Sequence, residues 1–270
     1  MTDATWAPLS RRVAGLGPDR TVHEGVPPYM VGVLRNWAYG IFSEAYRYSG
    51  GSDLSDMIEF RLRRESLNLS ESSVDELLDV IDALLSWWLS SESDEIDALE
   101  EILTTGGAGW RVNADRKGLE RRVDVTVTAA VIETVHTTRD EAAEHLAAAW
   151  SATYGRHPDP DKAYSHAVLA VEAVSCPLVA PRSDRATLGS VIRDLNNQSD
   201  QWELVLADRS GQPAKISGAI DMLNLLWRGQ SRHAGSSNSR RQTQAEAEAA
   251  VHLAAVLVQW LSSGVLRRKS

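Results

Sequence analysis

The sequence predicts an all-α protein: an antiparallel helical bundle preceded by a smaller helical domain that ends in one β-hairpin. Three observations lead there. Apolar residues recur at helical spacing in almost every long segment. The Ser/Thr-x-x-Glu signature of a capped helix start occurs at Ser73, Thr138 and Thr243. Only Asn113-Ala114-Asp115-Arg116-Lys117-Gly118 offers hairpin-turn chemistry between two short strand-like runs.

Residues 1–120 form the smaller domain. Val26-Pro27-Pro28 sets the start of a helix over 29–42, with Met30, Leu34, Trp37 and Ile41 on one face. Ser49-Gly50-Gly51-Ser52 interrupts it. Asp53 is placed to cap a helix to about Leu67, and the box at Ser73 opens another to about Leu89. In the latter, Leu77, Leu78, Ile81, Leu84, Leu85 and Trp88 make a wide apolar stripe. A short acidic helix from Asp94 to Leu103 precedes the hairpin, which must pack on helices because a lone hairpin is marginal in water.

Residues 121–270 form the bundle. The helical pattern from Asp124 to Tyr154 contains the Thr138 box, giving two helices or one kinked helix. Asp159-Pro160 supplies a capping side chain and a proline at the first helical position. The helix at 160–175 buries Tyr164, Val168, Val171 and Ser175 beside Ala163, Ala167, Ala170 and Val174, and Cys176-Pro177 ends it. Glu172 borders that apolar stripe, where a carboxylate needs a partner. Thr187 opens the next helix, with Leu188, Val191, Ile192 and Leu195 in register. The type of the short apolar piece 202–206 stays open. Ile216, Ile220, Leu223 and Trp227 form the following stripe, and the Thr243 box starts a last helix to about Trp260. Short connections make neighbouring helices antiparallel.

Charge divides along the same line. Residues 1–120 hold 21 acids against 11 bases, whereas residues 121–270 are nearly neutral, so an anionic ligand belongs to the second half. The single cysteine, Cys176, excludes an intrachain disulfide and a cysteine-based metal cluster. Met1 to Ser10 lacks a signal-peptide core, and no apolar run reaches the ~18 residues of a membrane span, so a cytoplasmic protein without membrane association is expected.

The chemistry gathers at Leu226-Trp227-Arg228-Gly229-Gln230-Ser231-Arg232-His233-Ala234-Gly235, in a stretch with no acid between Asp221 and Glu246. An arginine stays charged and presents a fork to phosphate oxygens, while histidine, with a reference pKa of about 6.5, moves protons near neutrality. The runs AYSHAVLAVEAV, TLGSVIRDL, LWRGQSRHAG and AEAEAAVHLAAVLVQWL, in this order, resemble the C-terminal domain of abortive-infection proteins, in the HEPN superfamily of helical ribonuclease domains. The resemblance spans roughly residues 121–270. It implies a helical, often homodimeric bundle, metal-independent cleavage of RNA without a cofactor, and a place in phage defence or toxin–antitoxin systems, with an antitoxin or defence partner. It places the two catalytic groups on Arg228 and His233. Family members commonly carry a polar residue directly after the motif arginine, and here that residue is Gly229.

On this reading the RNA 2′-OH attacks the adjacent phosphorus, His233 transfers protons and Arg228 stabilises the phosphate charge. Glu172 is expected to support the helices through an ion pair or hydrogen bond, with Arg228 one candidate partner. Arg232, Arg240 and Arg241 are expected to bind the RNA backbone without choosing sequence. The alternative is a HEPN-like module that holds RNA or a protein partner without cutting. His136, His145, His157 and His166 show no shared metal spacing and His252 reads as a packed residue, so no metal ligand set is expected.

Overall fold

Helices carry most of the chain, and their boundaries follow from local capping. In the computed structural model the described residues are 25–49, 53–63, 66–138, 140–230 and 240–269. Contacts divide the chain into two compact units, Met1–Arg122 and Val123–Ser270.

The first unit contains α1 (Val31–Ser49), α2 (Asp53–Leu62), α3 (Val74–Trp87), α4 (Asp94–Thr105), β1 (Trp110–Val112) and β2 (Leu119–Arg121). Ser73 and Glu76 form the expected reciprocal cap at the start of α3. β1 and β2 pair antiparallel, and Trp110 and Leu119 join the helical core built around Leu34, Ile58, Leu78 and Leu99. Glu120, only 4 % exposed, is held by Arg111 opposite it on β1. Helix α1 begins at Val31, after a 3-10 turn over Pro28–Met30, and runs on to Ser49 rather than ending at Phe42. Two further expectations need correction. Helix α2 stops before Leu67 because Arg63 turns left-handed at φ 54°, and the Leu67 N–H instead donates to Glu59 Oε1 at 2.6 Å. Trp88 lies just past the end of α3 and is exposed.

The second unit contains α5 (Val125–Thr137), α6 (Asp140–Tyr154), α7 (Pro160–Val179), α8 (Leu188–Asn197), β3 (Trp202–Leu204), α9 (Ser217–Gly229), α10 (Gln244–Ser262) and β4 (Leu266–Arg268). The Asp124–Tyr154 region is therefore two helices. Helix α7 is central and packs on α6, α8 and α10, while α9 packs on α8 and α10. Ala163, Ala167 and Ala170 are fully buried along α7, and small side chains there allow close helix approach. Asp159 caps α7 by accepting from Lys162 N at 3.0 Å, with Pro160 in the first turn.

Three differences from the sequence expectation follow from long-range pairing or helix-end tolerance. Pro177 does not end α7, which runs to Val179. The proline removes one donor in the last turns, and Ala180 N still closes on Cys176 O at 2.8 Å. The second half is not purely helical: β3 pairs antiparallel with β4. The basic tail Arg267-Arg268-Lys269 is correspondingly not frayed. Gly264, at φ 75°, reverses the chain after α10. Arg267 then pairs with Glu203 at 2.9 Å, Arg268 lies over the Trp202 ring and Lys269 N donates to Gln201 O. The fold is thus mainly helical with small two-stranded antiparallel sheets. Among the described residues, no helix is long and apolar enough to cross a membrane.

Candidate active site

The candidate site lies where α9 ends and α10 begins. Ile220, Leu223 and Leu226 bury one face of α9, and the Trp227 ring lies against Gly189 of α8, where a Cβ would come within 2.5 Å of it. That anchoring leaves Arg228, the last-turn cation of α9, exposed to solvent. No ion pair of Arg228 is found among the described residues.

The first turns of α7 hold the described residues on both sides of 231–239. Tyr164, 6 % exposed, projects its hydroxyl onto Gly229, so that a Cβ there would stand 2.0 Å from Oη and 3.1 Å from Cζ. The same hydroxyl makes a long contact of 3.5 Å with Leu225 O. Gln230 Nε2 donates to Ser165 Oγ at 3.3 Å. On the far side, Gln242 is buried; its N–H donates to Asp161 Oδ1 at 2.8 Å and its Nε2 to Gly229 O at 2.9 Å. Gly229 thus has a packing reason that its position at a helix end does not reveal. A glycine there reads as an ordinary helix terminator, and nothing local names Tyr164 as its neighbour.

The expected residues are distributed unevenly. Arg232 and His233 lie outside the described residues. Arg240 is committed to a two-point ion pair with Glu246, whose carboxyl that guanidinium and the Thr243 N–H hold down at about 2. Glu246 also completes the cap of α10 with Thr243, so Arg240 braces a helix start. Arg241 is exposed and pairs with no acid among the described residues. Glu172 is not joined to Arg228: its Oε1 accepts from the Leu188 N–H at 2.7 Å, satisfying the first free donor of α8. Cys176 nearby has its thiol pushed up by burial and then by the Glu172 charge, which makes it a poor nucleophile.

Two histidine arrangements were not visible as spacing. His252 is packed as expected, with Nε2 2.9 Å from Tyr154 Oη beside Trp150. Burial and then the Glu248 charge push the Tyr154 phenol up to about 12. His145 of α6 and His166 of α7 face each other with their Nδ1 atoms 3.1 Å apart. His166 is held below the ordinary histidine value by burial, by His145 and by Lys162. The available signal was positional, since the two residues are equidistant from the Gly155–Arg156 turn between their helices. Among the described residues, no group of three or more His, Cys, Asp or Glu is placed to hold a metal ion. Comparisons with protein-family models, curated proteins and solved structures gave no match to this chain.

Proposed function

We propose that the chain is a metal-independent endoribonuclease of HEPN type, with Arg228 stabilising phosphate charge and His233 acting as general acid and base. The observation that carries this reading is an exposed arginine at a helix C-terminus, next to residues 229–230 and 242, which are held to α7 and to each other on either side of the motif segment. On this reading the arginine supplies the charge stabilisation and the histidine the proton transfer that cleavage by an RNA 2′-OH requires. Arg241 offers a second exposed cation to the backbone, and Arg240 does so only by leaving Glu246. Pairing of two chains would bring two such motifs together, one histidine serving as base and the other as acid. A role in an abortive-infection or toxin system, restrained by an antitoxin or defence partner in the cytoplasm, belongs to the same proposal.

The test is digestion of total RNA by the wild type, Arg228→Ala and His233→Ala, with end analysis for 2′,3′-cyclic phosphate. Each substitution is expected to lower cleavage by about 10²-fold or more. EDTA is expected to leave the wild-type rate unchanged. Cleavage that survives both substitutions overturns the assignment. A non-catalytic RNA-binding module is the second reading, favoured by Gly229, which puts no side chain beside Arg228. It expects binding that weakens with salt and no product on long incubation.

A further inference from the structure

The geometry points to a divalent-cation site formed by His145 and His166, a two-imidazole staple between α6 and α7 for zinc, nickel or copper(II). The rings come from different helices, and the packing of α6 on α7 fixes their separation. Their Nδ1 atoms are 3.1 Å apart and their centroids 5.3 Å apart at a tilt of 44°. At that spacing at most one proton lies between them, so one nitrogen already turns a lone pair toward the other.

The distance suits a metal as well as a proton. With bonds of about 2.05 Å to each nitrogen, a separation of 3.1 Å subtends about 98° at the ion. That angle lies between the right angle of square-planar or octahedral coordination and the tetrahedral value. With Nδ1 atoms 3.1 Å and centroids 5.3 Å apart the two lone pairs meet nearly head-on, so each ring must turn by roughly 40° about its side-chain torsions to face the ion, a side-chain adjustment that leaves the helix backbones in place. Both rings are only partly buried, which leaves room for water to complete the coordination. Imidazole ligands favour zinc, copper and nickel over magnesium or calcium. On binding, the ring that donates to its neighbour carries its proton on Nε2 instead, and both Nδ1 lone pairs go to the metal. A neutral pair thereby releases no proton, and a singly protonated pair releases one. The charge that opposes the ion is Lys162, one turn before His166 on α7.

The site is separate from the proposed ribonuclease chemistry, and the two can fail independently. The test is titration of the full chain with zinc chloride or nickel chloride in chelator-free buffer, followed by calorimetry. One ion per chain is expected to bind, and His145→Gln or His166→Gln is expected to weaken binding at least about tenfold. Lys162→Gln is expected to tighten it. Long-range proton–nitrogen spectra of the histidine-labelled wild type provide a readout that needs no variant. Zinc is expected to shift the Nδ1 resonances of two histidines and leave the other five of the seven in place. Wild-type affinity no greater than that of the doubly substituted chain, or shifts confined to other histidines, overturns the proposal.

Discussion

Gly229→Ala sets two effects of opposite sign against each other. Helix propensity alone favours alanine over glycine by up to about 1 kcal/mol, and less at the last helical residue. The structure argues the reverse, because the new methyl carbon would stand 2.0 Å from Tyr164 Oη, well inside van der Waals contact. Tyr164 is 6 % exposed and has little room to retreat, so overpacking of about 1–3 kcal/mol should dominate. Removing the hydroxyl with Tyr164→Phe leaves Cζ as the nearest atom at 3.1 Å, a tight contact but one that small shifts relieve. The double variant should therefore recover much of the loss, with a coupling of about 1–2 kcal/mol between the sites. Urea unfolding of the four proteins measures that coupling, and hydrogen exchange of peptides from α7 and α9 localises it. A neutral or stabilising Gly229→Ala, or strict additivity with Tyr164→Phe, refutes the account of this glycine.

The other predictions follow from single contacts. Gln242→Leu strips the Gly229 carbonyl of its donor and should cost about 1 kcal/mol, with faster amide exchange at 228–230 and 240–243; unchanged exchange there counts against the pinning of these residues. Glu172→Ala should cost about 1 kcal/mol in urea unfolding by leaving the Leu188 N–H unpaired. Glu172→Gln keeps an acceptor and should cost less, and neither change should abolish RNA cleavage. In an ultraviolet titration, one of the six tyrosines should ionise at about 12, and that transition should vanish in Tyr154→Phe. Because the unfolded phenol loses its proton first, near 10, Tyr154 contributes stability that is intact below pH 10 and lost as pH rises toward about 12.

Features legible in the sequence were those encoded by neighbours. The caps at Ser73, Asp159 and Thr243 involve residues three apart, and each appears where its residues stand. Trp202 and Leu266 carried no comparable signal, since neither has strand length of its own and the β3–β4 ladder exists only after α9 and α10 bring their ends together. The same distinction governs the candidate site. That Arg228 ends an amphipathic helix could be read from Ile220 and Leu223. What holds Gly229, Gln230 and Gln242 could not, because Asp161, Tyr164 and Ser165 act from a helix more than sixty residues earlier. Gly229 shows the consequence. In sequence it is a missing polar side chain beside the arginine; in the fold the space is filled by a phenol hydroxyl arriving from α7. The position of Arg228 is thus a property of α7, α9 and α10 together, and substitutions on α7 should change the motif without touching any of its residues.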